Sequence, residues 1–169
     1  MIVVDTNVIA YLLLGGEKTP RARSIFERDS KWAAPLLWRS EFRSVLAMYI
    51  RQGKLTPENA MEFMAEAEIL MQGEEYQVDS RKIIKLIDSS KCSAYDCEFI
   101  ALAQNLDVPL ITSDKQIINE FPETAISIES YGESAQQQAE VDGSLGELPE
   151  CPQLSLSVSR MMKNSTFST

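Results

Sequence analysis

The 169-residue chain contains no histidine. That absence removes serine and cysteine triads built on an imidazole base, HExxH metalloproteases, Cys2His2 zinc fingers and two-histidine ribonuclease chemistry. An enzyme with this composition has to work with carboxylates, hydroxyls, lysine or a metal. Cysteine is scarce too: Cys92, Cys97 and Cys151 form no CxxC pair and leave an odd thiol, which points to reduced side chains, the first two as small buried groups. There is no Gly-rich phosphate loop and no internal repeat. Positive charge is also short, with 16 Lys and Arg against 25 Asp and Glu and a net charge of −9. This balance argues against broad electrostatic binding to nucleic acid, although a local basic rim or a bound cation reverses the field near one site. Long hydrophobic runs are missing as well. The opening "MIVVDTNVIAYLLL" is broken by Asp5 and Asn7 and has no basic segment before it, so it matches neither a signal peptide nor a membrane span. A cytoplasmic protein without membrane contact is expected.

The length suits one ordinary domain, enough to bury roughly two-thirds of the unfolded surface. Composition changes near Gly132: apolar segments and charged helical patterns precede it, and a stretch rich in Ser, Gln, Gly and Pro follows. We therefore expect a folded domain over 1–131 and a polar C-terminal tail over 132–169, disordered or loosely docked.

Within the domain, 1–4 reads as a buried strand and 6–14 as the helix after it. "PRARSIFERDS" reads as a helix with Pro20 in its first turn, and "KWAAP" as a short strand. "LLWRSEFRSVLAMYIRQG" carries Trp38, Phe42, Val45, Leu46, Tyr49 and Ile50 at helical spacing and stops at Gly53. "TPENAMEFMAEAEILMQG" is a further helix, capped by Thr56, with Pro57 at its first position and Gly73 beyond its end. Met61, Met64 and Met71 suggest a stripe on that helix, a core face or a homodimer surface. A brief strand and helix in "YQVDSRKIIKLIDSSK", a helix in "SAYDCEFIALAQNL", a strand in "VPLITSD", a short helix in "KQIINEF" and a last strand in "TAISIES" complete the pattern. Strands alternating with helices predict an α/β sandwich around a mostly parallel sheet.

Four carboxylates stand at matching places in this pattern. Asp5 follows the first strand, Glu41 lies in the second turn of a helix, Asp96 sits near a helix start and Asp114 follows "LITS". Three have ordinary structural explanations: Asp5 and Asp114 as helix caps, and Asp96 as the third helical position of a capping box opened by Ser93. Glu41 resists such an explanation. It lies three residues after Trp38 and four before Val45, on or beside the apolar stripe, where a lone carboxylate is costly to bury without a partner such as a cation. If Asp5 and Asp114 both end parallel strands, they share one edge of the sheet, the edge where open α/β sheets place ligands. Clustered carboxylates repel unless protonated or neutralised by a divalent cation. With oxygen ligands alone, that cation should be Mg²⁺ or Mn²⁺ rather than Zn²⁺, and the chemistry it suits is hydrolysis of a phosphate ester.

"VVDTNV", the helical Glu41, "SAYDCEFIALA" and "PLITSDK" resemble, in order and spacing, the four acidic motifs of PIN-domain ribonucleases, most closely the compact VapC-type toxin nucleases. The resemblance spans about 1–130. It implies a central parallel sheet of about five strands, Mg²⁺ or Mn²⁺ at the acids, an RNA substrate, cleavage leaving a 5′-phosphate and 3′-hydroxyl, and an antitoxin partner. Carried over by position, Asp5, Glu41, Asp96 and Asp114 are the catalytic and metal-ligating quartet, and Thr112 is the hydroxyl that supports it. Arg39, Arg43, Lys91 and Lys115 flank the motifs as candidates for holding the RNA backbone. Two rivals are a catalytically silent PIN-like binding module and a phosphatase with Asp5 as nucleophile. The phosphatase pattern wants a second acid two residues after the first, and that position is Asn7.

Overall fold

A computed structural model describes residues 1–131; the tail expected over 132–169 lies outside the described residues. Among the described residues the chain runs through β1 (Ile2–Val4), α1 (Thr6–Leu13), α2 (Thr19–Arg28), β2 (Trp32–Pro35), α3 (Trp38–Arg51), α4 (Pro57–Leu70), β3 (Glu75–Tyr76), α5 (Ser80–Ser89), α6 (Ala94–Leu106), β4 (Leu110–Thr112), α7 (Lys115–Glu120) and β5 (Ala125–Ser127). The five strands form one sheet in the order β3-β2-β1-β4-β5. Every pairing is parallel, with Val3 opposite Ala33 on one side and Leu110 on the other. This is the α/β/α arrangement that the alternation of strands and helices predicts.

The central strands β1, β2 and β4 are buried at every residue, which is why, Thr112 at the end of β4 apart, they read as apolar runs rather than alternating ones. Helix α6 is central as well. Cys97, Phe99, Ile100, Ala101, Leu102 and Ala103 are all buried. Trp38, Phe42 and Leu46 form the buried face of α3 at four-residue spacing. Trp32 meets Phe26 of α2 edge to face, with ring centroids 5.4 Å apart and planes at 87°.

Local signals set most of the boundaries. Thr56 caps α4 by accepting from the Asn59 amide at 3.2 Å, with Pro57 at its first turn. Beyond α3, Gly53 takes φ +67°, a conformation in which a side chain is strained even where there is room for one. Two expectations shift. Helix α1 ends at Leu13, with Leu14 as its C-cap, and α3 starts at Trp38, so Glu41 belongs to the first turn rather than the second. The methionine stripe does not exist as one surface: Met71 is fully buried beyond the end of α4, Met64 is half-buried and Met61 is 64% exposed. No helix among the described residues is long and apolar enough to cross a membrane.

Candidate active site

Adjacent parallel strands deliver the first and fourth acids to the same edge of the sheet. Asp5 leaves the end of β1 in extended conformation, and its amide donates to the Ile111 carbonyl at 3.0 Å, continuing the ladder to β4. Its carboxylate caps α1, with Oδ1 accepting from the Asn7 amide at 3.0 Å. Oδ2 accepts the hydroxyl of Thr112, the last residue of β4, at 2.7 Å. That hydroxyl oxygen in turn accepts the Asp114 amide at 3.0 Å. Thr112 is fully buried, and its hydroxyl ties the Asp5 carboxylate to the backbone of Asp114.

Asp114 caps α7, its Oδ1 accepting from the amides of Gln116 at 2.7 Å and Ile117 at 3.3 Å. Asp96 closes a reciprocal capping box at the start of α6. Its Oδ2 accepts from the Ser93 amide at 3.0 Å and hydroxyl at 2.7 Å, while Ser93 Oγ accepts from the Asp96 amide at 3.2 Å. Glu41 reaches over from α3, where its Oε2 accepts the Thr6 hydroxyl at 2.5 Å. All four acids line one cavity of about 190 Å³, together with Thr6, Asn7, Val45, Phe99 and Ile117. The caps and the convergence are therefore compatible roles of the same side chains.

No ion pair with lysine or arginine neutralises any of the four among the described residues. Burial raises the Asp5 carboxyl above its ordinary range; the hydrogen bonds from Thr112 and Asn7 oppose this, and the charges of Asp96 and Asp114 add to it. Glu41 is raised in the same way, chiefly by burial, with Thr6 opposing and Asp5, Asp96 and Glu98 reinforcing. An anionic cavity short of counter-charge suits a cation or a shared proton. The donor set, carboxylate oxygens alone, fits a hard divalent ion. Among the described residues, no three carboxylates are arranged as a ready-made ligand set.

The basic residues are placed differently. Arg39 grips Glu75 through both carboxylate oxygens, at 2.6 and 2.8 Å, and also bonds Glu68. Glu75 accepts the Trp38 indole N–H as well, at 2.7 Å. Arg39 thus pins the start of α3 to β3 and α4, and its guanidinium is not offered to the cavity. Arg43, Lys91 and Lys115 are exposed, and none of them lines the cavity. Lys91 contributes through its carbonyl, which accepts from Gln116 Nε2. Residues not singled out in the sequence also belong to the site: Thr6 and Asn7, whose signal was the "DTN" triplet itself, and Glu98, whose half-buried charge acts on Glu41.

A parallel α/β/α sandwich with four acids at the carboxyl edge of its sheet is the PIN-like class of fold. Residues 2–124 match the family model of the PIN domain, and the chain belongs to that family, whose members are generally nucleases. No curated protein sequence matches the chain. Among solved structures, a toxin–antitoxin complex from Klebsiella pneumoniae is similar at 16% identity, with a TM-score of 0.56 and coverage of 76% of this chain and 98% of that one. At that identity the likeness concerns the fold.

Proposed function

We propose that this PIN-domain protein is a Mg²⁺- or Mn²⁺-dependent endoribonuclease, acting in the cytoplasm as the toxin of a toxin–antitoxin pair. The observation that carries the reading is the convergence of Asp5, Glu41, Asp96 and Asp114, from four separate elements, on one cavity without a basic counter-ion. Asp5, Asp96 and Asp114 would hold the cation, and Glu41 would complete the site or orient the attacking water. The ion would supply charge neutralisation at the phosphate and a more acidic water. Val45, Phe99 and Ile117 supply the apolar part of the lining. Cleavage by in-line water attack leaves a 5′-phosphate and a 3′-hydroxyl. Exposed Arg43, Lys91 and Lys115 are the candidates for RNA phosphates; Arg39 is already paired. Support for an antitoxin partner comes from the structural neighbour, which is itself a toxin–antitoxin complex.

The test is cleavage of a single-stranded RNA by the full chain with chelator present and after adding back Mg²⁺ or Mn²⁺. Loss in chelator with recovery on add-back is expected. Undiminished cleavage in chelator overturns the metal mechanism.

A further inference from the structure

Two polar side chains are buried among the described residues, Thr6 at 3% exposure and Thr112 at 0%. Each gives its hydroxyl proton to one of the four acids. Thr112 does so from the end of β4, toward Asp5. Thr6 opens α1, where no preceding helical turn offers its hydroxyl a carbonyl, so the hydroxyl is available to reach across to another element. It does so over 35 positions of sequence, and Glu41 has no other hydrogen bond and no ion pair among the described residues. A glutamate has three side-chain torsions, so without that bond Glu41 would sample several rotamers in a cavity of about 190 Å³.

We propose that Thr6 is a positioning residue for Glu41: its hydroxyl fixes Oε2 and thereby leaves Oε1 as the oxygen open to a divalent cation. The inference rests on the metal-nuclease reading of the site. It also accounts for a buried hydroxyl in a helix whose other buried residues, Val8, Ile9, Ala10 and Leu13, are all apolar.

The experiment measures Mn²⁺ binding calorimetrically, without RNA, for the full chain and for Thr6→Val, Thr6→Ala, Thr6→Ser and Glu41→Gln, with circular dichroism to confirm folding. Loss of a group that orients a metal ligand typically costs 10–100-fold in affinity. Thr6→Val and Thr6→Ala should therefore bind Mn²⁺ at least tenfold more weakly, and Thr6→Ser, which keeps the hydroxyl, should stay within a few-fold of the parent. RNA cleavage should follow the same order. Undiminished binding by either hydroxyl-free variant, or a Ser variant as weak as Val, overturns the positioning role. If Glu41→Gln weakens binding while Thr6→Val does not, the inference about Thr6 fails alone. If Glu41→Gln also binds as the parent does, the metal reading of Glu41 fails with it.

Discussion

Arg39 lies two residues before Glu41 and carries a charge that looks suited to RNA, yet its contacts predict a structural role. Replacing it with alanine removes a two-pronged pairing with Glu75, a bond to Glu68, and a guanidinium held 5.5 Å from the Trp38 ring centroid. Exposed ion pairs contribute about 0.2–1 kcal/mol, whereas hydrogen bonds to charged groups contribute about 1.5–3. Here the side chains retain 32% and 16% of their exposure, so the appropriate figure lies between the two, about 1–2 kcal/mol. For a domain of this size that corresponds to a fall in Tm of roughly 3–10 °C.

The pairing also has a sign in pH. The Glu75 carboxyl is held below its ordinary range, first by the hydrogen bond from Arg39. A depressed acid stabilises the fold above its unfolded pKa, and that contribution is lost as pH falls toward the folded value. The Tm gap between the parent and Arg39→Ala should therefore narrow on acidification below the usual carboxylate range. Glu75→Gln should lower Tm comparably while releasing a cation near the site. The assays are thermal unfolding across pH and fluorescence anisotropy of a labelled RNA. An Arg39→Ala variant with unchanged Tm but clearly weaker RNA binding would refute the anchoring argument and restore Arg39 as a backbone contact.

Asp96→Asn and Asp114→Asn should each reduce cleavage by more than the 10–100-fold typical of an outer partner, with the fold retained, because asparagine still accepts hydrogen bonds at helix starts; activity near the parent level would remove these residues from the mechanism. Asp5→Asn should do the same and, in chelator at neutral pH, should melt higher than the parent. The sign follows from the raised Asp5 carboxyl: an acid that holds its proton more tightly when folded stabilises least once pH exceeds the folded pKa. The advantage of the variant should shrink as pH drops toward the ordinary value of 3.8, and Mn²⁺ should reverse it by stabilising only the parent. A variant less stable than the parent at every pH would show that the hydrogen bond from Thr112 outweighs the charge burial.

The features legible in the sequence are those with local punctuation. Thr56, Pro57 and Gly53 mark helix ends through their own backbone chemistry, and the capping box of Ser93 and Asp96 is complete within four residues. Helix α3 lacks such a mark: Leu37 occupies its N-cap position without a side-chain bond, so the start, and with it the turn that carries Glu41, had no local signature. The stripe fails at Met61, which is 64% exposed while Met71, still joined to Ala67 by its amide at the end of α4, is fully buried, a difference set by what packs over the helix and not by spacing. Partners distant in sequence were not legible either. Arg39 is committed to residues 29 and 36 positions away, and Thr6 to one 35 away, relations that only the packing of α3 against its neighbours creates.

The same packing bears on which cation the site should prefer. Asp96 and Asp114 each direct one oxygen into helix capping, and Glu41 gives one to Thr6; the other oxygen of each has no donor among the described residues. Breaking a cap to use both oxygens would cost about 1 kcal/mol per helix. On the metal-nuclease reading, these three acids each present one oxygen free of hydrogen bonds, and Asp5, both of whose oxygens accept one, would coordinate through a remaining lone pair. Ca²⁺ takes six to eight oxygens and favours two-oxygen carboxylate ligation, so it gains least here. Mg²⁺ binds through one or two carboxylates and keeps several waters, and a retained water is the species that hydrolysis needs. On this reading the capping bonds of Asp96 and Asp114, together with the Thr6 bond to Glu41, favour a small hydrated cation over Ca²⁺.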